Sequence, residues 1–138
     1  MQQIKLITIK QNNFTFNKTN HYNNILQFGN DIAQYLEEKT IDISDMMETI
    51  VVNIGLTQDL IGETIKCYET DKYVYQLCFV SEENNHNIDE STINYLASYL
   101  SGEKVYGTAI ILNSLIVADY TCIPDSVTIP TLIDIAYK

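Results

Sequence analysis

The residues best suited to chemistry sit past the middle of the chain, where Glu82, Glu83, His86, Asp89 and Glu90 bring carboxylate and imidazole donors close together. Donors of this kind hold divalent metals when they converge on one point. Their spacing matches neither a calcium-binding EF-hand loop nor the HExxH pattern of zinc hydrolases. Acids are also what solvation and the helix dipole favour in a polar connector that leads into a helix. The expectation is a candidate polar cluster of Glu82, Glu83 and His86, joined by Asp119, with no bound metal and no cofactor.

Nucleophilic chemistry has still less to work with. The three cysteines, Cys67, Cys78 and Cys122, fit neither a paired disulfide framework nor a CxxC metal site. Cys78 falls in an apolar strand-like run, where a small buried hydrophobe is the ordinary role. A reducing compartment is the simpler reading, and a Cys67–Cys78 link across a hairpin is the lesser alternative. A thiolate or hydroxyl nucleophile needs a base within hydrogen-bond reach. The only histidines are His21 and His86, neither shares a motif with a cysteine, and no GxSxG elbow is present. No catalytic residue is assigned on this basis.

Carboxylate pairs of the kind that cleave a glycosidic bond arise by chance among eighteen acids, and none stands in an apolar setting. Asp119 is the most informative single acid, because it follows Ile116-Val117-Ala118 in an expected strand. There it either faces solvent or is buried with a raised pKa, and the alternation of a half-buried sheet favours solvent. Gly55, Gly62, Gly102 and Gly107 are isolated, so no phosphate-cradling loop is present.

Charge bears on partners. Residues 31–138 hold all eighteen acids against five lysines, a net of −13, whereas residues 1–30 hold three lysines and no acid. Such a body repels phosphate backbones. The chain has no arginine, the preferred bidentate donor to phosphates and guanine edges, so direct nucleic-acid binding is not expected. The ten tyrosines point elsewhere, since tyrosine joins a large contact area to a polar tip. Tyr95 and Tyr99 are four apart on one helix face, beside its apolar stripe, and Tyr73 and Tyr75 share one strand face. These four are the candidate interaction residues, with the edge of the core as the competing reading.

These residues need elements to position them. At 138 residues, 46% hydrophobic and 19% charged, the chain has the makings of one globular α+β domain over 1–138. Gln3 to Lys10 reads as a strand, with Asn12-Asn13 turning into Phe14-Thr15-Phe16 as a short opening hairpin. Ile25, Phe28, Ile32 and Leu36 mark a helix capped by Asn20, with Gly29 as a break point and Glu37 and Glu38 at its unfavourable C-terminal end. Residues 42–56 read as helix or strand; Asp45 and Glu48 after a Ser44 cap favour helix, burying Met47, Ile50, Val51 and Ile54. Thr64–Glu69 and Lys72–Ser81 flank Thr70-Asp71 as a hairpin. Its second strand has apolar residues on both faces, so both should be covered.

A helix over 88–101 comes next, opened by Asn87 and Glu90 at capping-box spacing and stopped by Gly102. Val105–Leu112 and Leu115–Tyr120 flank Asn113-Ser114 as a second hairpin. Thr128 caps a last helix through Ile129, Leu132, Ile133 and Ala136, with Pro130 in its first turn. The expected order is β(β)-α-(α)-β-β-α-β-β-α, a mainly antiparallel sheet with three to four helices packed on it.

The functional expectation is a non-enzymatic interaction protein that binds a protein partner or itself through an acidic, tyrosine-bearing surface. Its composition suggests an AT-rich genome such as that of a virus or phage. No apolar run would span a membrane, and Met1 to Lys10 lacks the apolar stretch of a secretory signal, so an intracellular protein is expected. The alternatives are a small enzyme or ligand-binding domain with a site assembled from distant residues, and a nucleic-acid mimic.

Overall fold

The computed structural model describes residues 2–14, 25–54, 65–80, 90–119 and 121–137. The expected first strand is present as β1 (Gln3–Ile9), which sends Ile7 and Ile9 to one side of the sheet and Leu6 to the other. Helix α1 (Ile25–Ala33) buries Phe28, Gly29 and Ile32. It runs through Gly29 without a break. That glycine marks a close approach, since a Cβ there would lie 3.0 Å from Ile133 Cδ1 of the last helix.

The helix ends sooner than its periodicity predicts. The Tyr35 N–H donates to the Ile32 carbonyl at 3.0 Å, and Leu36 opens a new strand, β2 (Leu36–Asp42). This strand pairs antiparallel with β1 from Gln3↔Asp42 to Ile9↔Leu36. Glu37-Glu38-Lys39 favours helix locally, but the ladder with β1 overrides it. The expected opening hairpin is corrected accordingly: β1 finds its partners in β2 and, farther along the chain, in β5 (Tyr106–Ala118). Thr15, Phe16 and the Asn20 cap lie outside the described residues.

The ambiguous stretch is helical. A 3-10 turn at Ile43–Asp45 leads into α2 (Met46–Ile54), which buries Ile50 and Ile54 as expected. Met46 packs at the edge of that face, whereas Met47 is exposed. The expected hairpin is formed by β3 (Ile65–Glu69) and β4 (Tyr73–Val80). Its tip sits one residue later than expected, at Asp71-Lys72. The Thr70 N–H donates to the Tyr73 carbonyl at 2.8 Å, and Thr70 Oγ1 accepts from the Tyr73 N–H at 3.0 Å.

Helix α3 (Tyr95–Ser101) is shorter than the expected 88–101. Its N-cap is Asn94, preceded by a 3-10 turn at Glu90–Thr92, and the expected cap Asn87 lies outside the described residues. Gly102 ends the helix in the left-handed conformation, φ 76°, as expected.

β5 does not turn at Asn113-Ser114. It continues to Ala118 and pairs back through Ala118↔Thr121 onto β6 (Thr121–Asp125). Asn113 has turn propensity, but Tyr75 on one side and Asp125 on the other hold it extended. Its Nδ2 donates to the Ser126 carbonyl at 3.1 Å, and its buried Oδ1 has no hydrogen-bond partner.

The last helix, α4 (Ile129–Tyr137), carries Pro130 in its first turn as expected. The Thr128 carbonyl accepts from the Leu132 N–H at 3.0 Å. Glu38, expected at the wrong end of α1, instead accepts from the Ile129 N–H at 2.8 Å through Oε1. Its negative charge therefore meets the positive end of α4.

The described strands form one antiparallel sheet in the order β2-β1-β5-β4-β3, with β6 pairing β5 beyond the end of β1. Helices cover both faces, as the two-sided apolar pattern of β4 requires. Phe28, Leu96 and Leu132 from α1, α3 and α4 pack with Leu77 and Phe79 on one face. Ile50 and Ile54 of α2 pack with Leu6, Cys78 and Ile110 on the other. The result is the expected α+β fold on a mainly antiparallel sheet.

Candidate functional site

The short helix α3 is held on the sheet by two buried asparagines. Asn94 Nδ2 donates to the carbonyls of Ile9 and Gly107, each at 2.9 Å, and its Oδ1 accepts from the Ala97 N–H at 3.1 Å. Asn12 Nδ2 donates to that same Oδ1 at 2.8 Å, and Asn12 Oδ1 accepts from the Leu96 N–H at 3.0 Å. The pair satisfies orphan donors at the start of α3 and joins β1 to β5. This fixes where Tyr99 and Leu100 stand above the sheet.

Those two side chains form one wall of a groove of about 320 Å³. Leu132, Ile135 and Ala136 of α4 form another, and Leu77 and Ile111 of the sheet lie between them. Cys67, Tyr68 and Tyr75 complete the groove from the β3–β4 hairpin. Its volume is at the lower end of the roughly 300–1,000 Å³ typical of small-molecule sites. Among the described residues it is lined by apolar side chains with phenol, thiol and amide groups and by no carboxylate, imidazole or ammonium.

The tyrosines are arranged by strand register. Tyr68 is the direct partner of Tyr75, their ring centroids 6.4 Å apart, and Tyr73 stands 6.0 Å from Tyr75. Burial, chiefly, raises the Tyr75 phenol above its usual range, and the neighbouring Tyr73, Asp125 and Tyr68 add to it. Burial likewise raises Tyr99, whose hydroxyl donates to the Ala136 carbonyl at 3.4 Å. Both phenols are therefore neutral at neutral pH. They offer hydrogen bonds and contact area but no proton shuttle, since efficient acid–base work needs a pKa near the working pH.

The candidate interaction residues thus divide. Tyr75 and Tyr99 meet in the groove, Tyr73 stands beside Tyr75 with its ring tilted, and Tyr95 is exposed and does not line it. Tyr68 is not among the expected residues: the expected Thr70-Asp71 turn sets it opposite Tyr73, and the one-residue shift of the turn brings it opposite Tyr75. The α4 contribution had no local signal, because it depends on where that helix docks.

Asp119 is exposed where β5 turns into β6, away from the groove lining. Glu82, Glu83 and His86 lie outside the described residues. Among the described residues no group of three or more His, Cys, Asp or Glu side chains is placed to hold a metal ion. Cys78 is fully buried, while Cys67 and Cys122 are exposed free thiols. No described helix is long and apolar enough to cross a membrane.

These features define a class only by architecture, an antiparallel α+β sheet with a tyrosine-lined apolar groove. No protein-family model, curated protein or solved structure matches the chain.

Proposed function

We propose that this chain is a non-enzymatic interaction protein that holds a protein partner through the tyrosine-lined groove on its acidic body. The observation that carries the reading is the convergence of Tyr75 and Tyr99, from distant parts of the sequence, on an apolar groove whose described lining holds no charged side chain. Aromatic side chains in apolar surroundings are the usual anchors of protein interfaces. The arginine-free composition supports an origin in an AT-rich genome such as that of a virus or phage. Free thiols support an intracellular site of action.

A photo-crosslinking amino acid in place of Tyr68, at the groove's rim, should form a discrete protein adduct in source cells, and one in place of Tyr95 should not. A chain that is strictly monomeric by light scattering and forms no adduct from Tyr68 would overturn the reading.

The groove volume also favours a second reading, a site for a small apolar molecule. Native mass spectrometry of protein from its source would then show one added mass, removed by Ile135→Glu. Nucleic-acid mimicry finds less support. The described acids are spread over all four described helices or the residues flanking them, β2 and both hairpins, from Asp31 to Asp134, and are not gathered on one element.

A further inference from the structure

The tyrosine face of the sheet continues past the groove, beyond the helices that cover it. Direct antiparallel partners share a face, so register places Tyr68, Tyr75, Asn113 and Asp125 in one row across four strands. The next row outward is Tyr73, Leu115 and Ile123. Burial changes sharply between the two rows. Tyr75 and Asn113 are buried, Tyr73 and Leu115 are half-buried, and Ile123 is exposed, as is Tyr68 at the sheet edge. The groove therefore opens onto a partly exposed apolar and aromatic surface.

Acids surround that surface. Among the described side chains, Asp71 at the β3–β4 turn, Asp119 at the β5–β6 turn and Asp125 on β6 outnumber Lys72, while Glu69 pairs with Val74 and belongs to the other face of the sheet. Asp125 is close enough to act on the Tyr75 phenol. Tyrosine ring faces beside carboxylates attract lysine and arginine side chains, through the ring quadrupole and by direct charge pairing. A second copy of the chain is a poor occupant. A two-fold contact through this patch would set these carboxylates against themselves, on chains that each carry a net charge of −10.

Resting on the interaction reading above, we propose that the occupant is a partner-protein segment that seats an apolar side chain in the groove and sets adjacent lysine or arginine residues over Tyr68, Tyr73 and the face of the β5–β6 hairpin between Asp119 at its turn and Asp125 at its far end. Complementary charge of this kind sets partner choice and association rate more than total affinity.

Three fluorescent peptides sharing one leucine–phenylalanine core, flanked by lysines, serines or glutamates, test this by polarisation at low and high salt. The lysine-flanked peptide should bind about tenfold more tightly than the serine-flanked one at low salt, an advantage that salt erodes. The glutamate-flanked peptide should bind weakest. Asp119→Asn with Asp125→Asn should remove most of the lysine advantage. Ile123→Ser with Tyr73→Ser leaves the net charge unchanged and should weaken both the lysine- and serine-flanked peptides, the lysine-flanked one more because it also loses the Tyr73 ring face.

Lysine-flanked binding that survives the serine variants is attraction to net charge alone and overturns the proposal. Equal binding of all three peptides also overturns it, while leaving the interaction reading intact. No binding by any peptide overturns it too; the interaction reading then stands or falls with the Tyr68 crosslink.

Discussion

Cys78 shows how one side chain reports its surroundings. It sits on β4 beneath α2 with no exposure, and burial, with Cys67 nearby as the lesser cause, pushes its thiol from 9.0 up to about 12. The folded state thus favours the neutral thiol, whereas the unfolded chain ionises it near 9. This contribution to stability is complete below pH 9 and is lost as pH rises toward 12. Denaturant titrations of the wild type and Cys78→Ala at pH 8, 9 and 10 should show the wild type's advantage shrinking above pH 9, with a limiting slope of about 1.4 kcal/mol per pH unit. A difference constant with pH would refute the assignment. The same burial makes Cys78 a poor nucleophile, so a Cys–His reaction at this position has no physical basis.

At the scale of elements, α3 owes its place to its cap and not to its length. A helix of seven residues is too short to be stable alone and depends on tertiary contacts. Asn94 caps it and bonds to two strands, so Asn94→Ala removes a cap, takes the side-chain donor from the Ile9 and Gly107 carbonyls and leaves Asn12 Nδ2 with the Lys10 carbonyl alone. The expected loss is about 2–4 kcal/mol, from a cap effect plus unsatisfied buried groups. Chemical denaturation measures it, and a loss below about 0.5 kcal/mol would show that α3 is held by apolar packing alone.

Sequence reasoning placed this cap seven residues early, at Asn87. Both asparagines have the chemistry of a cap, and only the third dimension decides which one meets a helix start. The same limit explains β2. Its residues carry no strong strand signal, and their conformation comes from pairing with β1.

At the scale of the molecule, stability should track the sheet order. β1 and β5 have neighbours on both edges and helices over both faces, while β2 and β3 have a described partner on one edge only. Native-state hydrogen exchange should therefore be slowest in β1 and the first half of β5 and faster in β2 and β3. Slowest exchange in β3 would mean that its outer edge is protected. The charged side chains of β2, Glu37, Glu38 and Lys39, also discourage strand-to-strand association along that edge.

The sequence by itself determined the features that rest on local chemistry. The two-sided apolar pattern of Tyr73–Val80 required a covered central strand, Gly102 required a helix stop, Pro130 and Thr128 announced the last helix, and the lack of arginine was evident at once. Tertiary structure decided the features that depend on pairing between distant segments: β2 in place of a longer helix, a straight β5 through Asn113, Glu38 at the start of α4, and the docking of α3 and α4 that makes a groove around Tyr75 and Tyr99. Periodicity specifies which face of an element is apolar. Which surfaces meet is set by the ladder and by packing, whose energies appear only when residues far apart in sequence come into contact.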